Sequence, residues 1–144
     1  MPVATGIVDA PIEDVWAMVS NFGGLMRWHP HLTKVECDGS AVGAIRTATF
    51  ADGRTASESL EKLDNENHLL LYKVTNTSSG AMIGMTGEIK LTKLGDRQTK
   101  VDWTSSGAPP EAPNADKINA TLLATYTTRI NNHLKTALGL TPTA

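Results

Sequence analysis

The stretch AIRTATFADGRTASESLEKLD, residues 44–64, decides how this chain folds. It reads as two strands around an Asp-Gly turn. In the first, Ala44, Arg46, Ala48 and Phe50 alternate with Ile45, Thr47 and Thr49; in the second, Arg54, Ala56, Glu58 and Leu60 alternate with Thr55, Ser57, Ser59 and Glu61. The Thr/Ser/Glu set makes a solvated face, so the even-numbered set faces the interior in both strands. A two-residue Asp52-Gly53 loop would set residue 46 against 59, on the wrong face. A three-residue loop, Ala51-Asp52-Gly53 with Gly53 left-handed, sets it against 58 and is a common hairpin connection. In a regular hairpin Arg46 and Glu58 are therefore cross-strand partners on the inward face; a further bulge would undo the pairing.

Two accounts of this inward pair follow. One is a structural ion pair, although buried pairs contribute little net stability because both charges must be desolvated. The other is a cavity wall: Ala44, Ala48 and Ala56 beside the pair leave room, and an apolar pocket with a few polar groups is the usual form of a ligand site. Pattern alone leaves both open.

Outward from the hairpin, ATGIVDA reads as a first strand. DAPIEDVWAMVSNF opens a helix with Pro11 at its start, Glu13 and Asp14 in its first turn, and Ile12, Val15, Trp16 and Val19 as its apolar face. NFGG is expected to end it, with Gly23 or Gly24 at positive φ, and LMRWHPHL reads as a second short helix stopped near Pro30. Strand signals run from about Thr33 to Gly107, punctuated by CDGSAVG, ADG, LDNENH, NTSSG and LGDRQ, which makes six strands in antiparallel succession. After APPEAPNAD, Asn114 or Asp116 can cap a long final helix striped by Ile118, Leu122, Tyr126, Ile130, Leu134 and Leu138. From Asn114 to Leu138 it would be ~37 Å long at 1.5 Å per residue. The order is α+β, and only that helix is long enough to cover the sheet's apolar face.

Alternation sends Leu70, Tyr72 and Val74 inward from one strand. From the next it sends Ala81, Ile83, Met85, Ile89 and Leu91, and from the last Val101 and Trp103. Tyr72 and Tyr126 stand out, since a buried phenol wants a hydrogen-bond partner.

Composition bounds the function classes. A chain of 144 residues with 40 % apolar and 19 % charged residues is ordinary for one globular domain, here taken as residues 1–144. A net charge of −2 without a basic run argues against nucleic acid. One cysteine, Cys37, excludes an internal disulfide and reads as a structural thiol. No apolar run approaches a membrane span, and the N-terminus lacks secretory or myristoylation signals, so a cytoplasmic protein, monomer or homodimer, is expected. His29 and His31 form an H-x-H pair without a carboxylate or cysteine set to complete a site, so no metal is expected. His133 suits the C-terminal end of the last helix.

The segments DAPIEDVWAMVSNFGGLMRWHP, VGAIRTATFADGRTASESLEKLD, LLLYKV and VDWTSS, with the C-terminal helix, occur in the order seen in the START/SRPBCC helix-grip superfamily. More narrowly, the chain resembles its polyketide cyclase/dehydrase and lipid-transport branch. The resemblance covers nearly the whole chain and implies a curved antiparallel sheet of about seven strands gripping the long helix, with two short helices after the first strand. It also implies a deep apolar cavity between sheet and helix, which favours the cavity account of the Arg46–Glu58 pair. Plant lachrymatory-factor synthases of this superfamily have a catalytic arginine and glutamate at places matching Arg46 and Glu58. Its hydroxynitrile lyases have functional residues matching Arg46 and Tyr72, and a helix tyrosine corresponding to Tyr126. The abscisic-acid receptors share the frame, but their gate and latch motifs are absent, so hormone sensing is not supported.

The expected catalytic residues are Arg46, Glu58 and Tyr72. The expected cavity lining is Trp28, His29, Phe50, Ala56, Leu70, Ile83, Met85, Trp103, Leu122, Tyr126 and Ile130. Arg46 would stabilise an oxyanion, Glu58 would move a proton, and the tyrosines would orient a substrate oxygen. That chemistry needs no cofactor: cyclisation, dehydration, isomerisation or lyase cleavage of a small hydrophobic, aromatic or polyketide-like molecule. The alternative is a non-catalytic carrier of such a molecule or of lipid; a chaperone-like domain is a third reading.

Overall fold

The structure, a computed structural model, describes residues 1–143. Strand β1 (Val3–Val8) leads through α1 (Ile12–Val19) and a 3₁₀ segment (Phe22–Arg27) into a meander of six strands. These are β2 (Leu32–Cys37), β3 (Ile45–Phe50), β4 (Thr55–Asp64), β5 (Leu69–Thr77), β6 (Thr86–Gly95) and β7 (Gln98–Ser105). Each pairs antiparallel with the next, and β1 closes on β7, giving the order β1-β7-β6-β5-β4-β3-β2 among the described residues.

The β3–β4 hairpin takes the three-residue loop. Phe50 N–H donates to Arg54 O at 2.8 Å, Gly53 sits at φ 90°, and Arg46 is opposite Glu58, as Ala48 is opposite Ala56. Register then shifts twice along β4 against β5, at Ser57/Glu58 and at Leu60/Lys62. Such bulges bend a sheet, and here they lie beside Glu58. At the hairpin tip Arg54 swings out of the inward set to pair with Asp52 at 2.7 Å, in water.

The α1 face is as the spacing predicts: Ile12, Val15, Trp16 and Val19 are buried, with Pro11 at the N-cap. The glycines after it behave differently. The helix stops at Val19, and Phe22–Arg27 forms its own 3₁₀ turn with Gly24 at φ −94°, so neither Gly23 nor Gly24 takes positive φ. That turn buries Phe22 and Leu25 under the sheet.

A second difference concerns β6. Alternation carries the strand back to Ala81, but it starts at Thr86. Met82 (φ 67°) and Gly84 (φ 91°) adopt left-handed conformations that break an extended strand, so Ala81 and Ile83 are exposed rather than inward. The strand resumes with Ile89 and Leu91 buried.

The C-terminal helix is continuous over 115–137, but its middle is not α. Residues Ala115–Thr128 form α2, Arg129–Leu134 take π-type i→i+5 bonding, and Lys135–Ala137 finish as α. At 3.6 residues per turn a spacing-four stripe drifts ~40° per step. The wider turns take up part of that drift, which keeps Tyr126, Ile130 and Leu134 all buried. Ile130 packs so closely on β1 that a Cβ at Gly6 would collide with it. Asn114 occupies the N-cap in a left-handed conformation without a side-chain cap bond. Among the described residues no helix is long and apolar enough to cross a membrane.

Candidate functional site

Sheet, 3₁₀ segment and helix enclose a cavity of ≈ 210 Å³. Of the expected residues, Arg46, Glu58, Tyr72, Trp28, His29, Phe50, Ala56, Met85, Trp103, Leu122 and Tyr126 line it. Three do not. Leu70 and Ile130, each 1 % exposed, are packed in the core; Ile83, displaced by the turn at 81–85, lines an outer recess of ≈ 580 Å³ with Met82, Met85, Pro109, Pro110 and Ile118. Met82 and Met85 border both spaces, so the apolar recess adjoins the cavity.

Arg46 and Glu58 meet on the cavity wall. Arg46 Nε–H donates to Glu58 Oε1 at 2.9 Å, Nη2 lies 2.8 Å from the same oxygen, and Nη1–H donates to Phe22 O at 3.2 Å. The guanidinium also lies 4.1 Å from the Phe22 ring centroid and 5.4 Å from that of Tyr72. It is thus a clamped donor group with its charge matched. Both Arg46 contacts fall on Oε1; Glu58 Oε2 accepts no hydrogen bond among the described residues.

Tyr72 stands opposite Gly87, where a Cβ would lie inside its ring, so only glycine lets the phenol stand there. Its hydroxyl accepts the Trp103 Nε1–H at 3.2 Å and lies 3.5 Å from the Tyr126 hydroxyl. Burial, then the neighbouring Tyr126 and Glu58, push its pKa well above the usual phenol value, so it stays protonated. Trp103 stacks on Tyr126 at 4.5 Å and 7° and meets Trp28 at 5.7 Å. The wall is therefore aromatic on one side, with a short chain of hydroxyls in it.

His29 is 4 % exposed. Its Nδ1 accepts the His31 backbone N–H at 3.4 Å, while Nε2 is buried without a partner. Burial first, then the charges of Arg129, His31 and His133, lower its pKa from 6.5 to about 3. The unfolded chain therefore binds a proton there that the folded one refuses, so stability is full above pH 6.5 and falls as pH drops toward 3. The slope is at most about 1.4 kcal/mol per pH unit. His133 adds in the same sense, since burial lowers its pKa too and outweighs any help from the helix end. We expect urea midpoints to drop between pH 7 and pH 5 by more in the wild type than in His29→Phe; equal drops would sink this reading.

Among the lining residues that the sequence did not suggest, which include Val19, Leu25, Met82 and Thr125, Arg129 is the charged one. It lines the cavity with Leu122, Thr125 and Tyr126, the i, i+3, i+4 and i+7 positions of one helix face. The spacing-four stripe passes through Ile130 instead, because an arginine reads as a solvated position. Its guanidinium lies 5.7 Å from the Trp103 ring centroid.

The geometry can be set beside known proteins. The family model "Polyketide cyclase / dehydrase and lipid transport" matches residues 3–139. The chain belongs to this family. Within and around the polyketide cyclase/dehydrase family, one curated relative is the abscisic acid receptor PYL7 of Arabidopsis thaliana. It is 30 % identical over 67 residues, 44 % of this chain, and the match spans only 32 % of the receptor. Among solved structures, a protein from Thermobifida fusca superposes with a TM-score of 0.80 at 22 % identity, covering 99 % of this chain and 96 % of that one. The di-domain ARO/CYC StfQ of the steffimycin biosynthetic pathway gives 0.74 at 18 %, covering 95 % of this chain and 44 % of StfQ. Norcoclaurine synthase from Thalictrum flavum, in complex with dopamine and hydroxybenzaldehyde, gives 0.65 at 19 %, covering 98 % and 87 %. At these identities the structures establish the helix-grip fold. Among the described residues no group of three or more His, Cys, Asp or Glu side chains is placed to hold a metal ion.

Proposed function

We propose that this chain binds a small hydrophobic molecule, aromatic or polyketide-like, in its cavity and moves a proton on it without a cofactor. The observation that carries this is the Glu58 carboxylate. One oxygen is held by Arg46, the other accepts no hydrogen bond among the described residues, and the side chain belongs to the cavity wall. A carboxylate so oriented is placed to take a proton from a carbon beside a carbonyl. Tyr72, protonated and fed by the Trp103 N–H, is placed to donate to the oxygen on which charge then develops. Arg46 orients the base. Aldol-type cyclisation, dehydration by β-elimination and isomerisation begin from such a step; lyase cleavage begins instead with the proton of a hydroxyl, which the same carboxylate can accept. The family membership and the likeness to StfQ support a polyketide-like substrate.

Native mass spectrometry of the freshly purified protein supplies the bound molecule to assay. Glu58→Gln keeps shape and removes the base; turnover of that molecule should fall at least about a hundredfold while its binding persists. Turnover and affinity that both survive would end the general-base role. A second reading, a carrier, is favoured by the clamping of Arg46 on Phe22 O and Glu58, which leaves few of its donors for an oxyanion. In that case no conversion is detected in the wild type either.

A further inference from the structure

The cavity wall carries three formal charges, the guanidinium groups of Arg46 and Arg129 and the carboxylate of Glu58. Glu58 is engaged by Arg46. Arg129 has no carboxylate within ion-pair distance and donates no side-chain hydrogen bond among the described residues; it lies against the Trp103 face, between the cavity and an outer recess beside His31 and His133. An arginine remains charged in any protein setting, and a partly buried cation left unpaired is costly. His29, which borders both this cavity and a neighbouring recess, carries a second unmet donor among the described residues. Because His29 Nδ1 accepts the His31 N–H, the imidazole proton sits on Nε2, which is buried without an acceptor. The wall thus has one positive charge in excess and two donor groups with nothing to receive them, beside an aromatic surface of Trp28, Trp103 and Tyr126.

We propose that the cavity's ligand is a monoanion, an aromatic or otherwise flat apolar body bearing a carboxylate that Arg129 and the His29 Nε2–H receive. This rests on the cavity being a ligand site and adds the chemical class of the ligand. A carboxylate matches the planar fork of a guanidinium and cancels a single excess charge; a doubly charged phosphate ester would leave a surplus of the opposite sign. The carboxylate end then lies at the helix, and the body reaches toward Glu58 and Tyr72 across the cavity.

The probes are 2-naphthoate and 2-naphthamide, which share a body and differ in charge, titrated by calorimetry into the intact protein. In the wild type, naphthoate should bind at least about tenfold more tightly. Arg129→Met should erase that preference while naphthamide affinity stays within about twofold, and Arg129→Lys should retain part of it. Should Arg129→Met fail to fold by circular dichroism, the wild-type preference and its reduction in Arg129→Lys decide the matter. Equal binding of the two probes to the wild type overturns the proposal and leaves the cavity as a ligand site. Binding of neither overturns both. Inorganic phosphate displacing naphthoate at comparable concentration assigns the donors to a free inorganic anion and also overturns the proposal.

Discussion

Arg46→Leu should destabilise the folded protein by about 3 to 5 kcal/mol, the range for removing one partner of a buried ion pair. The side chains of Arg46 and Glu58 are 8 % and 18 % exposed, so the loss strands a carboxylate that water reaches poorly. It also frees Phe22 O, which Arg46 ties to the sheet, and strips the Phe22 ring of its cation. Removing both charges at once, as Arg46→Leu with Glu58→Leu, should recover much of the stability, because the desolvation cost of both ions disappears with them. Urea denaturation of the two singles and the double gives the coupling directly. A single variant within about 1 kcal/mol of the wild type would show the pair to be well hydrated, and the account of Glu58 as a fixed, oriented carboxylate would go with it.

Trp103→Ala should cost a comparable amount, about 3 to 5 kcal/mol. Trp103 is 3 % exposed and touches every part of the site: it stacks on Tyr126, abuts Trp28, donates to the Tyr72 hydroxyl and offers its face to Arg129. Truncation opens a void where the helix meets the sheet and leaves Tyr72 without its donor. Trp103→Phe keeps a ring but not the N–H, and should cost clearly less. Midpoints from urea titration rank the three proteins. If alanine and phenylalanine behaved alike, the hydrogen bond to Tyr72 rather than packing would dominate, reversing the present assignment.

How much of this was legible in the chain depends on the kind of signal. The hairpin's three-residue loop and its 46–58 and 48–56 pairings were readable, because a period of two and a glycine in the turn leave one loop length that sets those residues on the inward face; Arg54 was not, since it leaves that face for Asp52. The antiparallel succession of six strands was readable for the same reason, and the α1 face by its spacing of three and four; the closing of β1 on β7 was not, since no local pattern marks it. Ile83 was not, since Met82 and Gly84 leave the extended region and alternation has no mark for that. Nor was the 3₁₀ turn at Phe22–Arg27, where paired glycines suggest an end rather than a continuation. Leu70 and Ile130 were placed on the correct inward side, but inward faces hold both packed core and open cavity, and periodicity cannot separate the two. Arg129 is the instructive miss. Its signal, three residues past Tyr126 and seven past Leu122, was present, but a charged residue on an exposed-looking stripe is read as solvated unless the void beneath it is known.

The last helix divides into a shallow half and a deeply seated one. Residues 129–137 are seated by Ile130, Leu134 and Lys135, whereas α2 buries only Tyr126, and its outer end is tied down by Asn119 Oδ1 accepting the Ala108 N–H at 2.8 Å. α2 is thus held by one buried tyrosine, its packing on β1 and the Asn119 contact, while the π segment is the more deeply seated part of the helix. From Tyr126 to Ala115 the helix is ~16 Å at 1.5 Å per residue, so a tilt of about 10° lifts its tip by about 3 Å. A tilt of that size would break the Asn119–Ala108 contact while leaving the Arg46–Glu58 pair in place.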